Sequence, residues 1–415
     1  MHFFLFFIYL SCCIYIIVNN NFFKESSLSK KELLFLFTIK IIAGFAYAYY
    51  FSLPSQIANS DTWLYFNESI VETDKLLHHP KLFISELWYN QYTNNIGLFT
   101  GVNSYWNDLK PTVFVKAIGL FNILSFKNYY INLLFFNLFV FFGTVALYKL
   151  INQLFIIKKW ILIITIFLLP SFLFWNSGLH KDGIIFSCLA LILYYFNLLL
   201  TQTISFKKIM TIVFYTAIIF LLRNYALLAL FPALAAWYFS TKLKQKPIFI
   251  FTTSILFCLT LFFFSSSFKI TKPIGDSIVQ KHQEFQQLEG NSKIITPILE
   301  NSSTSLLQYF PFALKTMIVQ PIPTKSNGIA QNLTSIENYL YLVLALVSMF
   351  FITKQKINSP LLLSLLSITF LLYLFIGYTV CFSGAIVRYR SITLPFTILP
   401  LIIFIFAREK ETKLT

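Results

Sequence analysis

Residues 149–208 read KLINQLFIIKKWILIITIFLLPSFLFWNSGLHKDGIIFSCLALILYYFNLLLTQTISFKK. Two apolar runs, Trp160 to Trp175 and Gly183 to Leu200, carry lysines at their far ends: Lys158 and Lys159 before, Lys207 and Lys208 after. Between them lies a short polar break, Trp175-Asn176-Ser177-Gly178-Leu179-His180-Lys181-Asp182-Gly183. A helix needs about 20 apolar residues to cross the hydrocarbon of a bilayer. Backbone groups in lipid must be satisfied within the segment, so such runs are helices. Basic flanks mark the cytoplasmic side of a span. The stretch therefore reads as a hairpin with both lysine-rich ends inside and the polar break outside.

The same reading extends in both directions. Upstream lie Phe3 to Val18, Leu33 to Leu53 and Tyr130 to Leu150. Downstream lie Ile209 to Leu222, Tyr225 to Phe239, Pro247 to Phe264, Tyr339 to Ile352, Pro360 to Val380 and Thr393 to Phe406. Together with the opening pair this makes about eleven spans. The chain is 57% hydrophobic and 12% charged, with mean hydropathy +0.71. A soluble domain does not have this composition, and the long continuous runs differ from the short alternating strands of a lipid-facing barrel. The expected fold class is all-α: one polytopic transmembrane domain over 1–415, with interfacial helices in two long outer loops, about 54–127 and 269–335.

The net charge of +16 would suit a nucleic-acid binder, but its distribution excludes one. The short loops on one side hold sixteen Lys/Arg against four acids. The other side holds fifteen against twelve, over far more sequence, and Lys40 stands alone inside an apolar run. Anionic lipid is the natural partner of the basic face. No basic or cleavable flank accompanies the first run, which reads as a retained span. The expected placement is the inner (plasma) membrane, multi-pass, with the N-terminus outside and the C-terminus cytoplasmic. The five cysteines all lie in apolar runs, without metal or disulfide spacing.

Only the long outer segments and the polar breaks can build a site facing water. The first segment is rich in Trp, Tyr and acids, including Trp63, Trp88 and Trp106. Within it, Pro111 to Phe126 reads as a short interfacial helix with Pro111 at its first position. Asp61, just after the second run, is a candidate general base. A carboxylate there is also compatible with a divalent cation, although no ligand spacing implies one. The bland alternative is a loop acid or helix cap; Glu68 and Glu72, at helical spacing, read as a solvated face. In the polar break, Lys181 can hold a phosphate as a point charge, His180 can exchange protons, and Asp182 sits near membrane depth, where charge is costly. The bland reading is a corner in which Lys181 snorkels and Asp182 caps the next helix. Arg223, Arg388 and Arg390 interrupt or precede spans on the same side. Arginine forks match phosphate oxygens, while the bland reading is interfacial anchoring. In the second segment, Tyr309 to Pro323 reads as an apolar stretch too broken to span, and Glu337-Asn338 as the start of the ninth span. Pro232, Pro395 and Pro400 should kink their helices.

These features together resemble the polytopic GT-C glycosyltransferases and the related polysaccharide polymerases. The resemblance rests on four places. Asp61 follows an early span in a long outer loop. Pro170 to Asp182 reads Pro-x-x-x-Phe-Trp-x-Ser-Gly-x-x-Lys-Asp. Interfacial helices near Pro111 and Leu306 flank the site. Arg388-Tyr389-Arg390 precedes a proline-containing final span, as Arg-Tyr-x-x-x-x-x-Pro. The long loop follows the second span, not the first as in most GT-C enzymes, an arrangement closer to exopolysaccharide polymerases. The resemblance implies transfer of a sugar from a polyprenyl-phosphate carrier to a glycan or lipid acceptor outside, or polymerisation of repeat units from a polyprenyl pyrophosphate. Asp61, with Asp182 and His180, would be catalytic; Lys181, Arg223, Arg388 and Arg390 would hold phosphate. A flippase for a lipid-linked sugar is the rival from another class; it would show repeat symmetry and broken helices near the midplane, and the sequence shows neither.

Overall fold

Apolar runs and capping residues set most helix boundaries in the computed structural model of the chain, which describes residues 2–57, 60–88, 105–243, 245–264, 274–290, 292–323 and 328–409. Lys244, Lys410 and Lys413, which contribute to the basic face, and parts of both long outer segments lie outside the described residues. By Cα packing the chain forms two units: Met1–Gln153 with Ile166–Asn224, and Leu154–Thr165 with Tyr225–Thr415.

The first unit contains α1 (His2–Asn19), α2 (Asn21–Lys24), α3 (Lys30–Ser52), α4 (Asp61–His78), α5 (Pro80–Ser85), α6 (Tyr105–Ser125), α7 (Tyr129–Leu154), the end of α8 (Lys159–Phe167), α9 (Pro170–Trp175), α10 (Lys181–Thr201) and α11 (Phe206–Arg223). A full capping box starts α3: Ser29 accepts from the Glu32 amide and Glu32 accepts from the Ser29 amide, which satisfies two orphan donors at once. At the centre stand α7 and α10, with 72% and 67% of their apolar windows buried, against 11% for α1. Hydrophobicity all round is what a helix enclosed by others, or by lipid, requires. Here α7 and α10 meet at Gly143: a Cβ there would run into Ser187 Cα and Cβ. Small residues let helix backbones approach closely where no hydrophobic gain separates protein from lipid. α4 packs chiefly on α6, and α10 on α11.

The second unit contains α12 (Tyr225–Lys242), α13 (Pro247–Phe263), α14 (Ile274–Gln287), α15 (Ser303–Val319), α16 (Ile329–Met349), α17 (Lys354–Ile357), α18 (Pro360–Thr379), α19 (Ser383–Ser391) and α20 (Leu394–Phe406). α18 is its hub and touches α12, α13, α14, α15 and α20. Leu306, Tyr309, Ala313, Leu374 and Tyr378 form its principal core. Two-residue strands, β1 (Phe155–Ile156) and β2 (Arg408–Glu409), pair antiparallel.

Among the described residues, five helices are long and apolar enough to cross a membrane: α1, α3, α7, α10 and α18; α19 with α20, bent by 64°, makes a sixth if counted as one span. The other expected runs form helices that are shorter or more polar. The run Trp160 to Trp175 is not one helix. It breaks after Phe167 and restarts at Pro170, since proline offers no amide to continue a helix but suits its first turn. Pro111 lies inside α6, which begins at Tyr105, so it does not open the helix. Tyr309 to Val319 belongs to an unbroken α15 that tolerates Pro311. α16 begins at Ile329, which leaves Glu337 inside a helix. Pro232 and Pro400 are interior to α12 and α20, whereas Pro395 starts α20 beside the bend.

Candidate functional site

The polar break Asn176 to His180 is held by side chains from three helices of the first unit. From α3, Lys40 Nζ donates to the Asn176 carbonyl at 2.9 Å and to Ser177 Oγ at 3.1 Å. From α7, Asn137 Nδ2 donates to the Ser177 carbonyl at 2.9 Å. From α4, Thr62 Oγ1 donates to the Leu179 carbonyl at 2.9 Å and pairs with the Tyr129 hydroxyl at 2.8 Å. Gly178 is required where it stands, because a Cβ there would enter the Tyr47 ring. Buried backbone without regular structure must find such partners, and here it does so with side chains that sequence reading assigned no role. Lys40 alone had a signal, as the single charge inside a span.

His180 caps α10, its Nδ1 accepting from the Asp182 amide at 3.4 Å. Asp182 is therefore not the cap. Its side chain is fully buried, 3.0 Å from His180 Nδ1 and paired to Arg223 Nη2 from the end of α11. On the other side of the ring, His180 Nε2 lies 3.3 Å from Asp61 Oδ2. Ser60 caps α4 through the Trp63 amide, which leaves the Asp61 carboxylate turned toward the imidazole. Arg223, Asp182, His180 and Asp61 thus form a line of alternating groups. It runs from full burial at Asp182 to the Asp61 side chain, which is 36% exposed. Because Nδ1 accepts from the Asp182 amide, Nε2 is the nitrogen that carries the proton and faces Asp61, and the accessible Asp61 carboxylate can take a proton from outside.

Lys181 does not snorkel. Its residue is 8% exposed, and Nζ lies 4.8 Å from the Tyr65 ring centroid and 5.8 Å from that of Phe114. Among the described residues its ammonium meets ring faces, not a carboxylate at ion-pair distance. Asp61, Asp182, Arg223 and Lys110 are close enough to act on it electrostatically. Tyr65, one turn after Asp61, also faces the His180 ring at 6.1 Å. Neither Tyr65 nor Phe114 was singled out from sequence, because an aromatic in an aromatic-rich segment carries no signal until its neighbours are known.

Glu72 is not part of a solvated face. With Glu86 of the α5 end it encloses Lys75 and Lys116; Lys75 lies 2.7 Å from Glu72 and 2.8 Å from Glu86, and Lys116 lies 2.7 Å from Glu86 and also pairs with Glu72. Burial opposes ionisation of Glu86, but the hydrogen bonds and charges of Lys116 and Lys75 outweigh it and hold its carboxyl below the usual range. Glu68 is exposed; desolvation raises its carboxyl, Glu72 adds to that, and Lys181 opposes it. Trp63 Nε1 donates to the Ala48 carbonyl at 3.2 Å, and its ring stacks on Tyr129. Trp88 is 73% exposed, while the Trp106 side chain lies outside the described residues.

The remaining candidates belong to the second unit. Arg390 is buried, and its Nη1 donates to the Met317 and Gln320 carbonyls at 3.2 and 2.9 Å, capping the end of α15. Arg388 is half-buried beside Tyr389. Among the described residues, no group of three or more His, Cys, Asp or Glu could hold a metal ion. Compared with known proteins, the chain matches no family model, no curated protein and no solved structure.

Proposed function

We propose that this chain is a membrane glycosyltransferase that moves a sugar from a polyprenyl-phosphate carrier to a glycan or lipid acceptor. In this proposal the chain spans the inner membrane eleven times, N-terminus outside and C-terminus inside, with the site on the outer face. The observation that carries it is the line Asp61–His180–Asp182–Arg223 with Lys181 beside it. Asp61, at the accessible end, removes the proton of the acceptor hydroxyl. His180, whose Nδ1 is held by the Asp182 amide, points Nε2 at Asp61 and keeps that carboxylate in place. Lys181, with no carboxylate at ion-pair distance among the described residues, stabilises the phosphate as it leaves.

The test is Asp61→Asn and Lys181→Met in cells, scored for surface glycan and for lipid-linked precursor. Both variants should lose glycan and accumulate precursor in the outer leaflet; normal glycan in both sinks the reading. Mass spectrometry of the precursor tells one phosphate from two, and so transferase from polymerase.

A second reading has an observation of its own. The break between α8 and α9 and the 64° bend between α19 and α20 resemble the interrupted helices of transporters, in which buried ionisable groups relay protons. A flippase would leave the precursor in the inner leaflet when Asp61 is changed.

A further inference from the structure

Lys40 lies mid-way along α3, 4% exposed, and among the described residues it has no carboxylate at ion-pair distance. Both of its hydrogen bonds go to Asn176 and Ser177. One turn further along α3, a Cβ on Gly44 would lie 2.7 Å from the Ser177 carbonyl, so the helix backbone itself also presses on Ser177. An amine within a span is costly, and an apolar side chain of similar length would pack there at less expense. Stability alone therefore does not account for it. What the contact fixes is the pair of residues from which the chain continues through Gly178 and Leu179 to His180. The Leu179 carbonyl and the Ser177 carbonyl are each held once more, by Thr62 and Asn137. The Asn176 carbonyl and the Ser177 hydroxyl are held by Lys40.

The geometry points to Lys40 as a positioning residue: its Nζ fixes Asn176 and Ser177, and through them keeps the His180 ring between Asp61 and Asp182. This rests on reading Asp61–His180–Asp182 as the working site. Lys40 touches none of those three side chains and acts only through the break. An arginine can keep the donors; a methionine keeps the length and loses them.

The experiment is NMR of the full chain in nanodiscs with isotope-labelled histidine, the His180 ring signals being assigned by their loss in His180→Gln. In the unaltered protein both ring nitrogens should show the shifts of hydrogen-bonded positions. Lys40→Met should stay folded by circular dichroism yet move the His180 signals toward those of an unbonded imidazole, and Lys40→Arg should restore them. His180 signals unchanged in folded Lys40→Met overturn the inference. Should Lys40→Met not fold, Ser177→Ala removes one acceptor without adding volume. A shift of the His180 signals in it supports the role, and unchanged signals overturn it. Failure of the transferase reading would appear elsewhere, as normal glycan in Asp61→Asn with the effect of Lys40 on His180 intact.

Discussion

Asp61 and Asp182 flank one imidazole but stand in opposite relation to water. Asp182 has no exposed surface and faces the buried Arg223. Removing one partner of a buried ion pair leaves the other charge uncompensated, at a cost of about 3–5 kcal/mol. Asp182→Asn should therefore lower the thermal midpoint in detergent sharply. Asp61→Asn, partly exposed and keeping an oxygen that can accept from His180, should destabilise far less than Asp182→Asn while abolishing glycan synthesis. Equal destabilisation by both would mean that Asp61 is structural. Sequence had marked both acids, along with His180, Lys181 and Arg223. Residue type and depth sufficed for that, because charge near the membrane is rare. What sequence did not supply was the order in the line, which depends on where α4 begins and α11 ends relative to the start of α10.

Among the elements, the α4–α5–α6 clamp gives the first unit a pH dependence that can be measured. Glu86 has its carboxyl lowered in the folded protein from an ordinary value of 4.5. A lowered carboxyl contributes stability that is complete above its unfolded value and is lost as the pH falls through the folded one. Lys75 is raised from 10.5, since its hydrogen bonds to Glu72 and Glu86 outweigh burial, so its contribution persists until the pH rises through that higher value. Thermal unfolding followed from neutral pH into the carboxylate range should show a falling midpoint, with a shallower fall in Glu86→Gln. An identical slope in the variant would remove Glu86 as the cause. None of this was visible in the spacing of Glu72 and Glu86, because Lys116 comes from a helix thirty residues further on.

Over the whole chain, the topology has its own test. In a cysteine-free background, Glu68→Cys should react with a membrane-impermeant thiol reagent in intact cells, and Lys24→Cys should react only after permeabilisation. Both residues are exposed on the protein surface, so access reports the side of the membrane. Labelling of both in intact cells would reject the proposed orientation. Sequence by itself determined that the protein is helical and apolar enough for a bilayer, and placed the ends of α3, α7, α10, α13 and α18 within a few residues. Those properties follow from local hydrophobicity, proline and capping, which act over a single turn or span. It misjudged the Trp160 to Trp175 run, the start of α6 and the start of α16, where a proline or polar residue inside an apolar or amphipathic stretch can either end a helix or be tolerated by its neighbours. Only the tertiary structure decided that Lys40 serves the polar break, that Arg390 caps α15, and that Asp61 meets His180. These contacts join residues far apart in the chain, and the free energy that selects them lies in burial and hydrogen bonding between helices, of which no single segment carries a record.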